Sequence, residues 1–262
     1  MEHFYVTLPS NSSEQIYGKQ PMCKFKTHLA KSLELDVEEW EVGLAEFIYP
    51  HTWHNIAKTK LMVKYLEKNV WVWVEEDIPS AYYRTPYDLI GVLNESVNKM
   101  LRNQKNNIHF VYNEHERKFL ACVSKGYAVH FSAQLSIALG LGDGASTLAG
   151  QSETENTERH FFGEKIKAPF TVDLNRGLHT MFIYSDIVQH QLVGDVNVPL
   201  LRTIPVTGEN GDVIVHAFDN IHYMGLARST FQEIEVVITD DIGMKVPFEQ
   251  GRVIVKLHFR KK

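Results

Sequence analysis

The chain has 262 residues, a formal net charge of −5 at pH 7 and an isoelectric point near 6.2. Apolar residues make up 44% and charged residues 23%, an ordinary balance for a globular protein that buries a sizeable core. Lysine and arginine are dispersed, which argues against a duplex-binding protein because such a protein needs a basic face.

Targeting signals and cysteine usage bound the cellular context. No segment has the apolar length of a membrane helix, so we expect no membrane span. Residues 1–13 lack a basic start and an apolar segment, so we expect no secretory signal peptide. Cys23 and Cys122 match no disulfide framework and are interpreted as buried thiols of a reducing compartment. The basic tail at 260–262 is interpreted as a solubilising end, with contact to packaged nucleic acid as the alternative.

Strand patterns dominate the start of the chain. Residues 3–8 are β-branched and aromatic, and residues 37–49 alternate apolar with acidic side chains. Residues 60–66 and 69–75 predict a hairpin that turns at Glu67-Lys68.

The second strand of this hairpin is apolar on both faces. Trp71 and Trp73 alternate with valines along it. Such a strand is either buried on both sides or meets a partner. Because aromatic residues are enriched at protein interfaces, Trp71 and Trp73 are candidate subunit-interface residues.

One block breaks the β pattern. Thr85-Pro86-Tyr87-Asp88 predicts a capped helix start, and apolar residues recur at helical spacing to about Gln104. Strands are predicted at 108–113, 117–123 and 127–131, then a short helix from Ser132 to Leu139. We interpret about 79–142 as an α+β insertion and about 143–160 as an exposed polar loop, because no linker sets off a separate domain.

Strands then continue to the end of the chain. They are predicted at 168–173, 179–188, 200–206, 212–218, 231–239 and 252–260. In the last one, alternate residues starting at Val253 face one way, and Lys256, His258 and Arg260 face the other. This polar row faces either solvent or a neighbouring subunit, so its three residues join the candidate interface.

The spacing of these elements predicts the fold class. Many short strands about ten residues apart, separated by turn residues, are typical of a sandwich or jelly roll. We therefore expect a mainly β protein: residues 1–262 as a single jelly-roll domain, with the α+β insertion added.

No residue pattern predicts catalysis, cofactor binding or metal binding. His51 and His54 lack a nearby third ligand and favour a turn at a sheet edge. The glycines at 140–144 follow a helix, whereas a phosphate-binding loop precedes one. The acidic runs at 75–77 and 240–241 are interpreted as solvated strand ends and turns.

Several segments together resemble one protein family. They are HFYVTLPSNSS at 3–13, WEVGLAEFIYPHTW at 40–53, YYRTPYDLIGVLNESV at 82–97, LSIALGLG at 135–142, the run at 177–206 and the closing strands at 231–260. The chain resembles the minor capsid (penton) proteins of Polinton/Maverick elements and adintoviruses over nearly its whole length.

This resemblance implies a structural role. It implies a single jelly roll that forms homopentamers at icosahedral vertices, with the major capsid protein of the same element as a second partner. It also implies a virion protein, made in the host cytoplasm or nucleus, that is not an enzyme and has no cofactor.

Two other hypotheses belong to different classes of protein. The first is a carbohydrate- or ligand-binding jelly roll that uses Trp71, Trp73 or Tyr82-Tyr83 as an aromatic platform. The second is an enzyme on a cupin-like jelly roll with histidine metal ligands. Glycan binding and metal analysis distinguish these two from a capsid protein.

Overall fold

The structure is a computed structural model that describes residues 2–102, 107–151, 155–156, 161–162, 164–175 and 178–262. The strands are β1 (His3–Pro9), β2 (Lys24–Glu34), β3 (Trp40–Pro50), β4 (Thr59–Glu67), β5 (Val70–Ile78), β6 (Ile108–Asn113), β7 (Lys118–Val123), β8 (Tyr127–Phe131), β9 (Ser146–Ala149), β10 (Glu155–Asn156), β11 (Phe161–Phe162), β12 (Glu164–Lys167), β13 (Thr180–Ser185), β14 (Gln191–Val193), β15 (Val196–Val198), β16 (Leu200–Pro205), β17 (Val213–Ala217), β18 (Tyr223–Gly225), β19 (Thr230–Thr239) and β20 (Ile254–Lys261). The helices are α1 (Glu14–Tyr17), α2 (Pro86–Met100) and α3 (Ala133–Ala138).

The chain divides into two compact units. The first unit is Met1–Trp53 together with Leu178–Lys262, and the second is His54–Gly177. The second unit therefore interrupts the first between β3 and β13.

Among the described residues, the first unit contains two main antiparallel sheets and a separate β14–β15 hairpin. The first sheet has the order β1-β20-β3-β17, and β18 also pairs with β3. The second sheet has the order β16-β13-β19-β2. Since β17 and β18 pair with different stretches of β3, they occupy one strand position, and the two sheets together have eight positions.

The order of these eight positions is that of a jelly roll. The first position pairs with the eighth (β1 with β20), the second with the seventh (β2 with β19), the third with the sixth (β3 with β17 and β18) and the fourth with the fifth (β13 with β16). This is the pairing of one long hairpin. Rolling the hairpin up adds the contacts of β20 with β3 and of β13 with β19. The expected class, a mainly β protein built on a jelly-roll sandwich, is confirmed.

Alternation along the strands fills the core of this sandwich. On β20, Val255, Leu257 and Phe259 are fully buried, and every second residue between them faces outward. On β19, Ile234, Val236 and Ile238 are fully buried and contribute to the same core cluster from the second sheet. Burial of these alternating apolar rows holds the two sheets together.

The second unit combines two main sheets with a helix. Its sheets have the orders β5-β4-β8-β9 and β12-β7-β6, and β10 pairs with β11. Helix α2 buries Leu89, Leu93 and Val97 in a core that also contains Phe110 and Phe119. The unit is thus an α+β structure with its own core.

Helix α2 begins as its sequence predicts. Thr85 is the N-cap, its hydroxyl accepts from the backbone N–H of Asp88, and the Asp88 carboxylate accepts from the N–H of Thr85 at 2.8 Å. Asn94 then joins the helix to β6, because its side chain donates to the carbonyl and accepts from the N–H of Phe110.

The second unit is larger than the predicted insertion. The block at about 79–142 lies wholly within His54–Gly177, and the unit also includes the β4–β5 hairpin. Local patterns could not reveal this, because β4 pairs with β8 as well as with β5. The description of residues 1–262 as one domain remains a prediction.

Two other segments differ from their predicted structure. Within the polar loop expected at about 143–160, Ser146–Ala149 forms β9, which pairs with β8. Residues 152–154 and 157–160 of that loop lie outside the described residues. The strand expected at 168–173 is wrong: β12 ends at Lys167, and Pro169 lacks the N–H that a strand pairing needs.

Strand β2 and the β14–β15 hairpin have no counterpart among the predicted strands. In β2, only Phe25 and Thr27 are buried, so its apolar signal is short. The sequence predicts the last two strands, and they lie in different sheets, since β19 pairs with β13 and β2 while β20 pairs with β1 and β3.

Candidate subunit interface

The polar row of β20 lies on the outer side of the first sheet, as its alternation predicts. The side chains of Lys256 and Arg260 are 39% and 40% exposed. His258, between them, is only 9% exposed. Neighbouring side chains therefore cover the imidazole, so the row has two exposed cations with a buried histidine between them.

Three aromatic side chains enclose His258. The Tyr5 ring stacks on it at 4.4 Å between centroids, and Tyr223 Oη lies 2.7 Å from its Nδ1. Its Nε2 lies 3.1 Å from His3 Nδ1. When Tyr223 donates to Nδ1, Nε2 carries the proton and donates to His3. Burial lowers the pKa of His258 from its ordinary value, and His3 and Arg260 lower it further.

The two flanking cations are held by carboxylates and rings. Arg260 Nε donates to Glu41 at 2.6 Å, and its guanidinium lies 3.5 Å from the centre of the Tyr223 ring. Lys256 Nζ lies 3.7 Å from a Glu46 oxygen and 5.3 Å from the centre of the Tyr5 ring. These contacts fix the orientation of the cations, so a partner would meet a preorganised surface.

We call this surface the β20 face. It consists of Tyr5, Tyr223, Lys256, His258 and Arg260. Tyr5 is 51% exposed and gives the face an accessible aromatic ring. Aromatic and cationic groups of this kind can stack on a partner and pair with its carboxylates.

Trp71 and Trp73 lie on one exposed face of the second unit. They are 49% and 55% exposed, so β5 is not buried on both sides. Lys64 Nζ lies 4.5 Å from the centre of the Trp71 ring and 5.0 Å from that of Trp73. One ammonium thus contacts both rings and restricts their motion.

The backbone of β5 adds to this exposed face. Lys68 and Asn69 both have positive φ, which is the geometry of a two-residue type I′ hairpin turn. In that turn Glu67 and Val70 form a hydrogen-bonded pair, so the N–H and C=O groups of Trp71 and Trp73 point away from β4. Because β5 is an edge strand of its sheet among the described residues, these groups face outward.

A groove that the sequence did not predict lies on the outer side of the second sheet. It has a volume of about 760 Å³, and we call it the apolar groove. The residues that define it are Phe182, Tyr184, Val196, Val237 and Ile242. Val196 is 50% exposed and Ile242 is 79% exposed, so much apolar area at the groove meets water.

Two local signals could have indicated this groove. The sequence Leu192-Val193-Gly194-Asp195-Val196 places apolar residues on both sides of a tight turn, which is a hairpin signal. Ile242 occurs inside a turn, where polar residues are usual. Neither signal shows that the two segments meet, since that depends on how the sheets pair.

The remaining candidates have structural positions. His51 is buried and stacks on Trp53 at 4.0 Å, and His54 Nδ1 lies 2.8 Å from Ser80 Oγ. Tyr83 is 5% exposed, so it cannot serve in an aromatic platform. Cys122 is a buried free thiol whose pKa is raised by burial.

The acidic runs also have structural contacts. Glu75 and Asp77 form ion pairs with Lys60 and Lys58. Asp240 is a turn residue, as expected, because its carboxylate accepts from the backbone N–H of Met244 at 2.7 Å. Among the described residues, no three His, Cys, Asp or Glu side chains converge as metal ligands would. Nor does this part of the chain contain a helix long and apolar enough to cross a membrane.

Comparison with known proteins gives structural neighbours and no sequence relatives. No family model and no curated protein matches the sequence. The crystal structure of the mavirus penton protein is similar over 100% of both chains, with 13% identity and a TM-score of 0.49. A chain of the Sputnik virophage structure, solved by cryo-EM, is similar over 100% of this chain and 98% of its own, with 14% identity and a TM-score of 0.47.

The mavirus protein is described as a penton protein, which is the class that the sequence resembles. The assignment of the jelly roll itself follows from the strand order of the first unit.

Proposed function

We propose that this chain is a structural capsid protein of the penton type, which forms homopentamers at the icosahedral vertices of a virion. The observation that carries the proposal is a jelly roll with exposed apolar, aromatic and charged groups on the outer sides of both sheets. A ring of identical subunits needs two different contact surfaces on each subunit, and this sandwich offers them.

The sequence resemblance supports the same function. Its segments at 3–13, 40–53, 177–206 and 231–260 include strands of the jelly roll, and those at 82–97 and 135–142 belong to the second unit. In this function no residue has a catalytic role. Trp71 and Trp73 contact neighbouring capsid chains, because an exposed edge strand with aromatic side chains favours a partner.

Co-assembly with the major capsid protein of the same element tests this function. We expect particles purified after co-expression to contain this chain, and averaged images to show it at the fivefold vertices. Complete particles that form without it, together with its absence from their vertices, would exclude the penton role.

Carbohydrate binding is a second candidate, and one observation favours it. Trp71 and Trp73 present two half-exposed rings on one face, where sugars could stack. Lys64 already contacts both rings, so a sugar would have to displace its ammonium. Glycan-array binding that Trp73→Ala abolishes and Lys64→Ala strengthens would support this role, and no binding by the wild-type protein would exclude it.

A further inference from the structure

The apolar groove and the β20 face lie on opposite sides of one sandwich. Phe182 and Tyr184 face outward from the second sheet, because Met181, Ile183 and Ser185 between and beside them are buried. The β20 face is the outer side of the first sheet. Two copies that joined groove to face would therefore use two different surfaces, which is a head-to-tail contact.

The charges of the two surfaces are complementary. Asp195 and Asp241 line the groove, both are exposed, and neither forms an ion pair with a described cation. The groove lining contains no lysine or arginine among the described residues. Lys256 and Arg260 supply positive charge on the β20 face, where Arg260 pairs with Glu41 and the side chain of Lys256, 39% exposed, has its Nζ 3.7 Å from Glu46.

The groove is large enough to take an aromatic side chain from the β20 face. The groove volume of about 760 Å³ lies within the range of cavities that enclose a drug-sized ligand, so it can accept more than one side chain. Tyr5 offers a half-exposed ring that stacking on His258 already orients. Insertion of this ring would cover Val196 and Ile242, whose apolar area otherwise meets water.

We propose that the occupant of the apolar groove is a second copy of this chain, whose β20 face inserts Tyr5 and places Lys256 against Asp195 and Asp241. Repetition of such a head-to-tail contact closes into a ring or continues as a filament. The inference rests on the proposed pentamer and names the surfaces that join its subunits.

Two variants with opposite defects test the contact. The groove variant carries Val196→Asp and Ile242→Asp, and the face variant carries Tyr5→Asp and Lys256→Glu. All four side chains are substantially exposed, so the fold should tolerate the changes. Ile16→Asp is the matched control, because Ile16 is 58% exposed and belongs to neither surface.

Sedimentation velocity then distinguishes the outcomes. Each variant alone should be monomeric, and the Ile16→Asp control should form the same ring as the wild type. An equimolar mixture should stop at a heterodimer, because only one pair of intact surfaces remains. Intact pentamers in either variant would overturn this contact but would not contradict the proposed function. A wild-type protein that is monomeric at every concentration would contradict the pentamer itself.

Exchanging the charges of one acidic and one basic residue tests the same contact without altering an apolar side chain. Asp241→Lys or Lys256→Glu alone should weaken subunit association roughly tenfold, and the two together should restore most of it, as residues in direct contact are coupled. Circular dichroism of each variant verifies the fold. If the losses of the two single variants simply add in the double variant, the pairing of Lys256 with Asp241 is overturned.

Discussion

The two sides of β20 place side chains in opposite environments. Phe259 is fully buried and stacks on Phe4 at 4.9 Å, so it contributes to the stability of the sandwich. His258, the preceding residue, contacts His3, Tyr5 and Tyr223 on the outer side. A single residue step thus separates a core position from a candidate contact surface.

Replacing Phe259 by alanine is expected to lower the free energy of unfolding by about 3–5 kcal/mol, because it leaves a cavity in the core. Tyr5→Ala, on the neighbouring strand, should cost about 1 kcal/mol, since half of its ring is already exposed. Urea denaturation measures both losses. Equal losses in the two variants would contradict the assignment of inner and outer faces.

A second residue, His216, predicts how stability depends on pH. Its ring lies between Tyr49 and Phe218 at 5.9 and 6.2 Å, and its Nε2 has no hydrogen-bond partner among the described residues. Burial lowers its pKa below the ordinary 6.5. The unfolded chain therefore binds more protons below pH 6.5, and stability falls as the pH decreases from there towards the folded-state pKa.

The variant His216→Phe removes this titrating group and keeps a ring of similar shape. When the pH falls from about 7 to about 5, we expect the variant to lose less stability than the wild type. This range includes 6.5, the ordinary pKa of a histidine side chain. Thermal unfolding at several pH values checks this. Parallel pH profiles for the two proteins would show that His216 does not contribute.

At the scale of elements, features that depend on a local residue pattern could be predicted from the sequence. Features that depend on long-range strand pairing could not. The capping box of α2 and the alternation along β20 are local, and both were predictable. Strand β2 has few buried residues and is defined by its pairing with β19, so its own pattern was too weak. The apolar groove combines β13, the β14–β15 hairpin and the turn after β19, which only the fold brings together.

Helix α2 gives a prediction at this scale. Thr85→Ala should destabilise the second unit by about 1 kcal/mol, because the N–H of Asp88 loses its capping acceptor. Thr85→Ser keeps the hydroxyl and should remain close to the wild type. Hydrogen exchange of the amides in the first turn of α2 measures the effect, and equal protection in both variants would show that the cap is dispensable.

At the scale of the whole molecule, the ends of the described chain close the jelly roll. β1 pairs with β20 from His3↔Arg260 to Pro9↔Ile254, so the sheet is completed by strands more than 240 residues apart. The second unit enters between the third and fourth strand positions without interrupting this order. One chain therefore contains a jelly roll and a separate α+β unit with an exposed aromatic strand.

The mass of the purified protein in solution tests the central claim most directly. A homopentamer of this 30.1 kDa chain should have a mass of about 150 kDa. We expect light scattering or native mass spectrometry to give this value, and negative-stain images to show fivefold rings. A mass of one chain at every concentration, with no larger species when the major capsid protein is added, would contradict the account.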